Sequence, residues 1–131
     1  MLRLSSIGGM LRSLDAARTI EVYAYTLRPG PLVDRLEDAA QRGARVRVRL
    51  TGAPYGNGGP ALLRRNRHLV DALARCGADA SLTPSDAPVS LHVKAAVVDG
   101  RLFLDDRNFG PQDFIVRDDT AGDLPAFRSS L

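Results

Sequence analysis

Leu91-His92-Val93-Lys94-Ala95-Ala96-Val97-Val98-Asp99-Gly100-Arg101-Leu102-Phe103-Leu104-Asp105-Asp106-Arg107-Asn108 is the stretch whose reading decides the architecture. Apolar and β-branched residues run up to Asp99-Gly100, the dipeptide that best tolerates positive φ in a tight turn. A second apolar run leaves it, so the stretch reads as a β-hairpin. Side chains alternate faces along a strand, which sets His92 and Lys94 on one side and Val93, Ala95 and Val97 on the other. An imidazole then lies beside an ammonium. Neutral imidazole can attack phosphorus, and a neighbouring cation can hold the non-bridging oxygens as charge builds on them. Taken alone, a strand His and a Lys more often describe a satisfied histidine and a solvated amine.

Outward from the hairpin, Ala78 to Thr83 reads as a short strand that Pro84-Ser85-Asp86-Ala87-Pro88 ends. Before it, Leu62 to Cys76 has helical spacing through Leu69, Val70, Leu73 and Ala74, with Gly77 as the stop and His68 at its solvent-side start without a functional signal. The loop Gly52 to Pro60 follows neither G-x-G-x-x-G nor a Walker pattern, and Pro60 lacks the amide that a phosphate cradle would use; a nucleotide fingerprint is excluded there. Ala44 to Thr51 alternates Val46, Val48 and Leu50 with Arg45, Arg47 and Arg49, a strand with three arginines on one face. Such a row is first a solvated or ion-paired strand face, and only second a strip that guides a polyanion.

Further back, Pro31 to Arg42 forms an amphipathic helix pattern bounded by Pro31 and Gly43. Thr19 to Leu27 is a β-branched and aromatic strand, broken by Arg28-Pro29-Gly30-Pro31 and preceded by a short helix with Met10, Leu11 and Leu14. Downstream, Phe109-Gly110-Pro111-Gln112 turns the chain, Asp113 to Val116 reads as a strand, and Asp123 to Leu131 begins as a helix. Strands alternating with helices predict an α/β fold, a mixed β-sheet flanked by helices on both faces.

The 131 residues are 44% hydrophobic and 25% charged, which fits a single domain spanning 1–131. One cysteine, Cys76, allows no intrachain disulfide, and one Cys with two His gives no zinc-type cluster; Cys76 is expected as a small buried residue within a helix. No run is long enough for a signal peptide or a membrane span, so the expected location is cytoplasmic. A formal charge of +3 and a pI near 9.6 favour an anionic partner, whether substrate phosphate, DNA or a peripherally contacted anionic lipid surface.

His92, Lys94 and Asp99 stand as H-x-K-x-x-x-x-D, which resembles the HKD signature of the phospholipase D superfamily. That signature is followed by six residues and G-S-x-N. Here Asn108 falls one position early, and Asp105 and Asp106 replace Gly and Ser. The segments Ala16 to Val22 and Leu36 to Val48 are similar to the first strand and the "A-A-x-R-G-V-x-V" passage of the family's amino-terminal half, so the likeness covers roughly residues 10 to 118.

The resemblance implies a phospholipase D-like half in which two signatures face each other. One His attacks a phosphodiester and becomes a phosphohistidine; the other protonates the leaving oxygen and then activates water or an alcohol. On this reading His92, Lys94, Asp99 and Asn108 form the catalytic set, without metal or cofactor. Lys94 and Asn108 hold phosphate oxygens, and Asp99, at the turn, stabilises the hairpin. Asp113 takes the place of an acid that bonds the imidazole and fixes its tautomer. The substrate is a phospholipid or nucleic-acid phosphodiester, hydrolysed by a phosphodiesterase or nuclease or passed on by a phosphatidyltransferase. Since only one signature is present, the second is expected from a homodimer partner or from the other half of a longer chain, with 119–131 as a truncated linking helix.

Two other classes compete. A metal-dependent phosphoesterase would use Asp99, Asp105, Asp106 and Asp113 to bind Mg²⁺. A catalytically inactive binding or dimerisation module would follow if the charges of Asp105 and Asp106 repel an anionic substrate.

Overall fold

The computed structural model describes residues 1–86, 91–110, 113, 115–120 and 122–131. The chain runs through β1 (Leu2–Ser5), α1 (Ile7–Leu14), β2 (Thr19–Ala24), α2 (Pro31–Gln41), β3 (Arg45–Leu50), α3 (Gly59–Arg75), β4 (Asp79–Leu82), β5 (Ala95–Val98), β6 (Arg101–Asp105), β7 (Ile115–Asp118) and α4 (Asp123–Ser129). Its seven strands form one mixed sheet in the order β1-β7-β6-β5-β2-β3-β4. β2, β3 and β4 are parallel, because α2 and α3 supply the crossovers that parallel neighbours require; the remaining pairs are antiparallel.

Period-two alternation decides what each face buries. Ile20, Val22 and Ala24 of β2, Val46, Val48 and Leu50 of β3, and Ala96 and Val98 of β5 turn to one side. There they meet Met10 and Leu14 of α1, Leu36 of α2 and Leu73 of α3 in the main core. The opposite face is thinner: Ala95, Val97 and Leu102 pack with Val93, Leu104 and, from α4, Leu124 and Phe127. Helices therefore lie on both faces, as the alternation of elements predicts, but among the described residues α1, α2 and α3 lie on one side and the short α4 on the other.

The Asp99-Gly100 turn closes the β5–β6 hairpin with φ of 47° and 82°, the left-handed pair anticipated from the dipeptide. Gly52 is needed for a different reason: a Cβ there would sit 1.8 Å from the Thr83 carbonyl oxygen, so the chain after β3 passes against the end of β4 only without a side chain.

Several boundaries differ from the sequence expectation. His92 and Lys94 are not in the strand; they lie in the segment just before β5, where Val93 still packs with Ala95 and Val97 and the Lys94 carbonyl still accepts from the Asp105 amide. α3 begins at Gly59, with Pro60 in its first turn, where a missing amide costs nothing. That start puts the exposed His68 in mid-helix, and Cys76, half-buried, becomes the cap where Gln41 and Glu37 approach its sulfur. β7 begins at Ile115 instead of Asp113. β1 was not anticipated because it is an edge strand that buries none of its residues. Ala87 and Pro88 of the strand terminator, and Pro111, Gln112 and Phe114 of the later turn and strand, lie outside the described residues.

Candidate active site

Strand register brings the hairpin residues to one end of the sheet. β5 runs antiparallel to β2 with Ala95 opposite Tyr23, so the residues entering β5 meet those leaving β2. Extended by two residues that register would set Val93 opposite Tyr25, and the ring of His92, the next residue back along the chain, comes against the ring of Tyr25. Their rings stack with centroids 5.1 Å apart and planes 10° from parallel, and Tyr55, from the loop after β3, lies 5.2 Å from His92 and 5.5 Å from Tyr25. His92 is exposed, and among the described residues no hydrogen bond or ion pair fixes its imidazole.

A buried polar network underlies this end. Asn66 of α3, fully buried, accepts from the Thr26 hydroxyl at 2.8 Å and donates to the carbonyls of Tyr25 at 2.9 Å and Thr51 at 3.1 Å. The Thr51 hydroxyl in turn accepts from the amide of Leu91 at 3.3 Å, one residue before His92. One helix side chain thus ties together the ends of β2 and β3 and the approach to His92. Orphaned strand-end carbonyls would otherwise be buried without partners.

Lys94, Asn108 and Asp113 share a cleft of about 800 Å³, which also takes in Arg28, Arg107, Asp106 and the amino-terminal end of α2 at Gly30 and Pro31. Lys94 is brought there because its carbonyl accepts from the Asp105 amide at 2.9 Å, which continues the β5–β6 pairing by one step. Its ammonium makes no ion pair among the described residues, nor does Arg28. Among the described residues the buried Asn108 Oδ1 has no hydrogen-bond partner, so in the cleft it shares with the lysine this amide holds unspent capacity, and its flipped orientation would present NH₂ to an anion. Three cations face two carboxylates, which leaves the cleft favourable to an anion. His92 is not among the residues lining it; it stands on the neighbouring aromatic rings.

Asp99 lies at the other end of the hairpin. Its Oδ1 accepts from the amides of Arg18 at 2.9 Å and Thr19 at 3.0 Å, and these bonds, Thr19 first, hold its carboxyl below the usual range. Asp99 thus ties the hairpin turn to the start of β2.

Asp113 does not reach the imidazole in this arrangement. Its Oδ2 accepts from the Gly110 amide at 2.6 Å, Arg107 stands 3.9 Å from its Oδ1, and it faces Asp105. Burial, then the hydrogen bond with Asp113, pushes the Asp105 carboxyl up to about 6. Ligand atoms of Asp105, Asp106 and Asp113 lie within 4.8 Å of one another, whereas Asp99 is remote from the trio. Amides of Asp106 and Phe109 occupy the Asp105 oxygens at 2.9 and 2.6 Å, so this carboxylate first ties down the chain that leaves β6.

The arginine row occupies the thinly covered sheet face. Arg47 and Arg49 both pair with Asp79, at 3.4 and 3.1 Å, and Arg128 pairs with Glu21; only Arg45 is without a partner among the described residues. A depression of about 1010 Å³ there holds none of the hairpin residues. Burial alone would raise Glu21, yet bonds from Tyr23 and Arg128 keep its carboxyl below the usual range. The ion-paired reading of the row is the one the geometry favours.

Tyr25, Tyr55, Asn66 and Arg28 escaped the sequence reading. Asn66 carried a usable signal, a polar residue on the apolar stripe with Leu69, Val70 and Leu73. Arg28 was read only as part of a strand-breaking run.

A mixed seven-stranded sheet in this strand order, with helices on both faces, is a phospholipase D-like α/β fold. Its solved counterparts bear this out. Nuc from Salmonella typhimurium, a phospholipase D family member, superposes with a TM-score of 0.69 over 99% of this chain and 89% of its own at 22% identity. NucT from Helicobacter pylori gives 0.68 at 12% identity, covering 99% of this chain and 91% of NucT. Polyphosphate kinase from Porphyromonas gingivalis gives 0.68 at 18% identity over all of this chain, which spans 26% of the kinase. No protein-family model matches the sequence, and no curated protein matches it significantly. No helix among the described residues is long and apolar enough to cross a membrane.

Proposed function

We propose that this chain is a phospholipase D-like phosphodiesterase that works through a phosphohistidine on His92. The observation that carries the reading is the cleft shared by Lys94, which has no ion pair among the described residues, and Asn108, whose buried Oδ1 has no partner among them, with the exposed, ring-stacked His92 two residues before Lys94 in the chain. The His92 imidazole attacks phosphorus, a P–N bond forms, and the P–O bond to the leaving group breaks. Lys94 and Asn108 hold the non-bridging oxygens through the charge-dispersed transition state. Water then adds to phosphorus, the P–N bond breaks, and a phosphomonoester leaves.

The proton for the leaving oxygen comes from a second histidine, either the His92 of another copy of the chain or its counterpart in a further half. Without it, turnover is expected to fall by the roughly 10²–10⁴-fold that a general acid contributes. Asp99 acts on the chemistry only by fixing the hairpin. Phospholipid and nucleic-acid phosphodiesters, and transfer to an alcohol as well as hydrolysis, all fit this scheme.

The test is turnover of bis(p-nitrophenyl) phosphate by purified protein, with mass in solution measured on the same sample. Turnover that survives a chelator and vanishes in His92→Asn supports the reading; turnover lost to the chelator but kept in His92→Asn overturns it in favour of metal chemistry at the Asp trio. A second reading, a binding module without catalysis, is favoured by the carboxylates of Asp105 and Asp106 near the cleft. The fold is shared with TrmBL2, an archaeal chromatin protein with a novel mode of DNA binding (TM-score 0.63, 14% identity, 98% of this chain and 49% of that one). Dimeric protein that binds a phosphodiester but never turns it over would select that reading.

A further inference from the structure

Among the described residues no polar group orients the exposed His92, yet a nucleophile must present one ring nitrogen along the line to phosphorus. What surrounds the ring is aromatic. Tyr25 stacks on it nearly in parallel, and Tyr55, 65% exposed, tilts across both rings at 35° and 44°. The two tyrosines are also joined, because the Tyr55 amide donates to the Tyr25 hydroxyl at 3.0 Å. Tyr25 itself is anchored through its carbonyl to Asn66.

From this we infer that Tyr25 and Tyr55 are positioning residues: Tyr25 sets the plane of the His92 ring, and its hydroxyl latches the 52–58 loop so that Tyr55 confines the ring from a second side. An unrestrained histidine on the surface samples several χ1 and χ2 wells, most of them unproductive. An aromatic pair is worth enough to populate one of them several-fold over the rest. The inference rests on the phosphodiesterase reading for its kinetic consequence and on ring geometry alone for its structural one.

Two measurements test the two parts separately. In NMR spectra of the unliganded protein, the His92 ring protons carry ring-current displacements from both tyrosines. Tyr25→Leu and Tyr55→Ala each shift them towards random-coil positions by tenths of a part per million, while Tyr25→Phe keeps the Tyr25 contribution and loses part of that from Tyr55. In turnover of bis(p-nitrophenyl) phosphate, Tyr25→Leu and Tyr55→Ala lower kcat roughly 3- to 10-fold with KM unchanged, and Tyr25→Phe recovers most of the loss at that position. His92 resonances that do not move in Tyr55→Ala, a surface change with little bearing on folding, overturn the inference, as does a kcat indifferent to both rings. Absence of turnover in the wild-type protein would instead overturn the phosphodiesterase reading, and the NMR comparison would decide this one.

Discussion

Asn66→Ala removes one buried amide and with it three hydrogen bonds, one accepted from Thr26 and two donated to the carbonyls of Tyr25 and Thr51. Each such bond is worth about 1 kcal/mol net, and partners left buried without a replacement add to the loss. Thr26 and Thr51 are both buried, so water cannot substitute. The expected destabilisation is about 3 kcal/mol, read as a lower urea midpoint at unchanged m. For a chain of this length that corresponds to a fall in Tm of about 10 °C. Asn66→Leu, which fills the space but makes no bonds, should cost nearly as much, separating hydrogen bonding from cavity formation. Because Thr51 also holds the Leu91 amide, both variants should broaden or move the His92 ring resonances. A loss below about 1 kcal/mol in both variants would refute the network as the tie between β2, β3 and the approach to His92.

Other outcomes follow from the same geometry. Asp99→Ala should cost about 1 kcal/mol through the lost amide bonds from Arg18 and Thr19, with kcat per folded molecule unchanged. Since its carboxyl is held below the usual value, the stability it supplies is present above the usual carboxylate pKa and fades as pH falls through the lower folded value, which acid titration of the unfolding midpoint against Asp99→Asn would detect. Asp105 has the opposite sign: with its folded pKa raised from 3.8 to about 6, its contribution is complete below 3.8 and is lost as pH rises through about 6. Urea midpoints should decline across that window in the wild type and decline less in Asp105→Asn. Arg47→Glu, on a face remote from the cleft, should change stability by under about 1 kcal/mol and leave turnover of a small phosphodiester unchanged; a large loss of turnover would bring the arginine row into the site.

Much of the fold was legible because its signals are local. Asp99-Gly100 can scarcely be anything but a tight turn, alternating Val46, Val48 and Leu50 mark a strand, and Pro31 and Gly43 bound a helix. Where a segment's state depends on distant partners, the sequence was silent. β1 is a strand only because β7 offers it an edge, and the apolar neighbours of Asp113 read as a strand, whereas its carboxylate is held by the Gly110 amide outside β7. The site divides the same way. The resemblance of the spacing to a family signature singled out His92, Lys94 and Asn108, but Tyr25 and Tyr55 reach His92 from distant parts of the chain, and Asn66 acts on its approach through Thr51 and Leu91. Only the antiparallel register of β2 and β5 and the α3 crossover reveal that meeting. Spacing also grouped Asp99 with His92 and Lys94, though it stands at the far end of the hairpin and braces the start of β2.

The most direct test of the central claim is acid-sparing quench of the protein during turnover of bis(p-nitrophenyl) phosphate, followed by peptide mass spectrometry. The account predicts a p-nitrophenylphosphoryl adduct on the peptide containing His92, labile to acid, stable to base and absent from His92→Asn. Turnover with no adduct on that histidine, undiminished when the imidazole is removed, would contradict it.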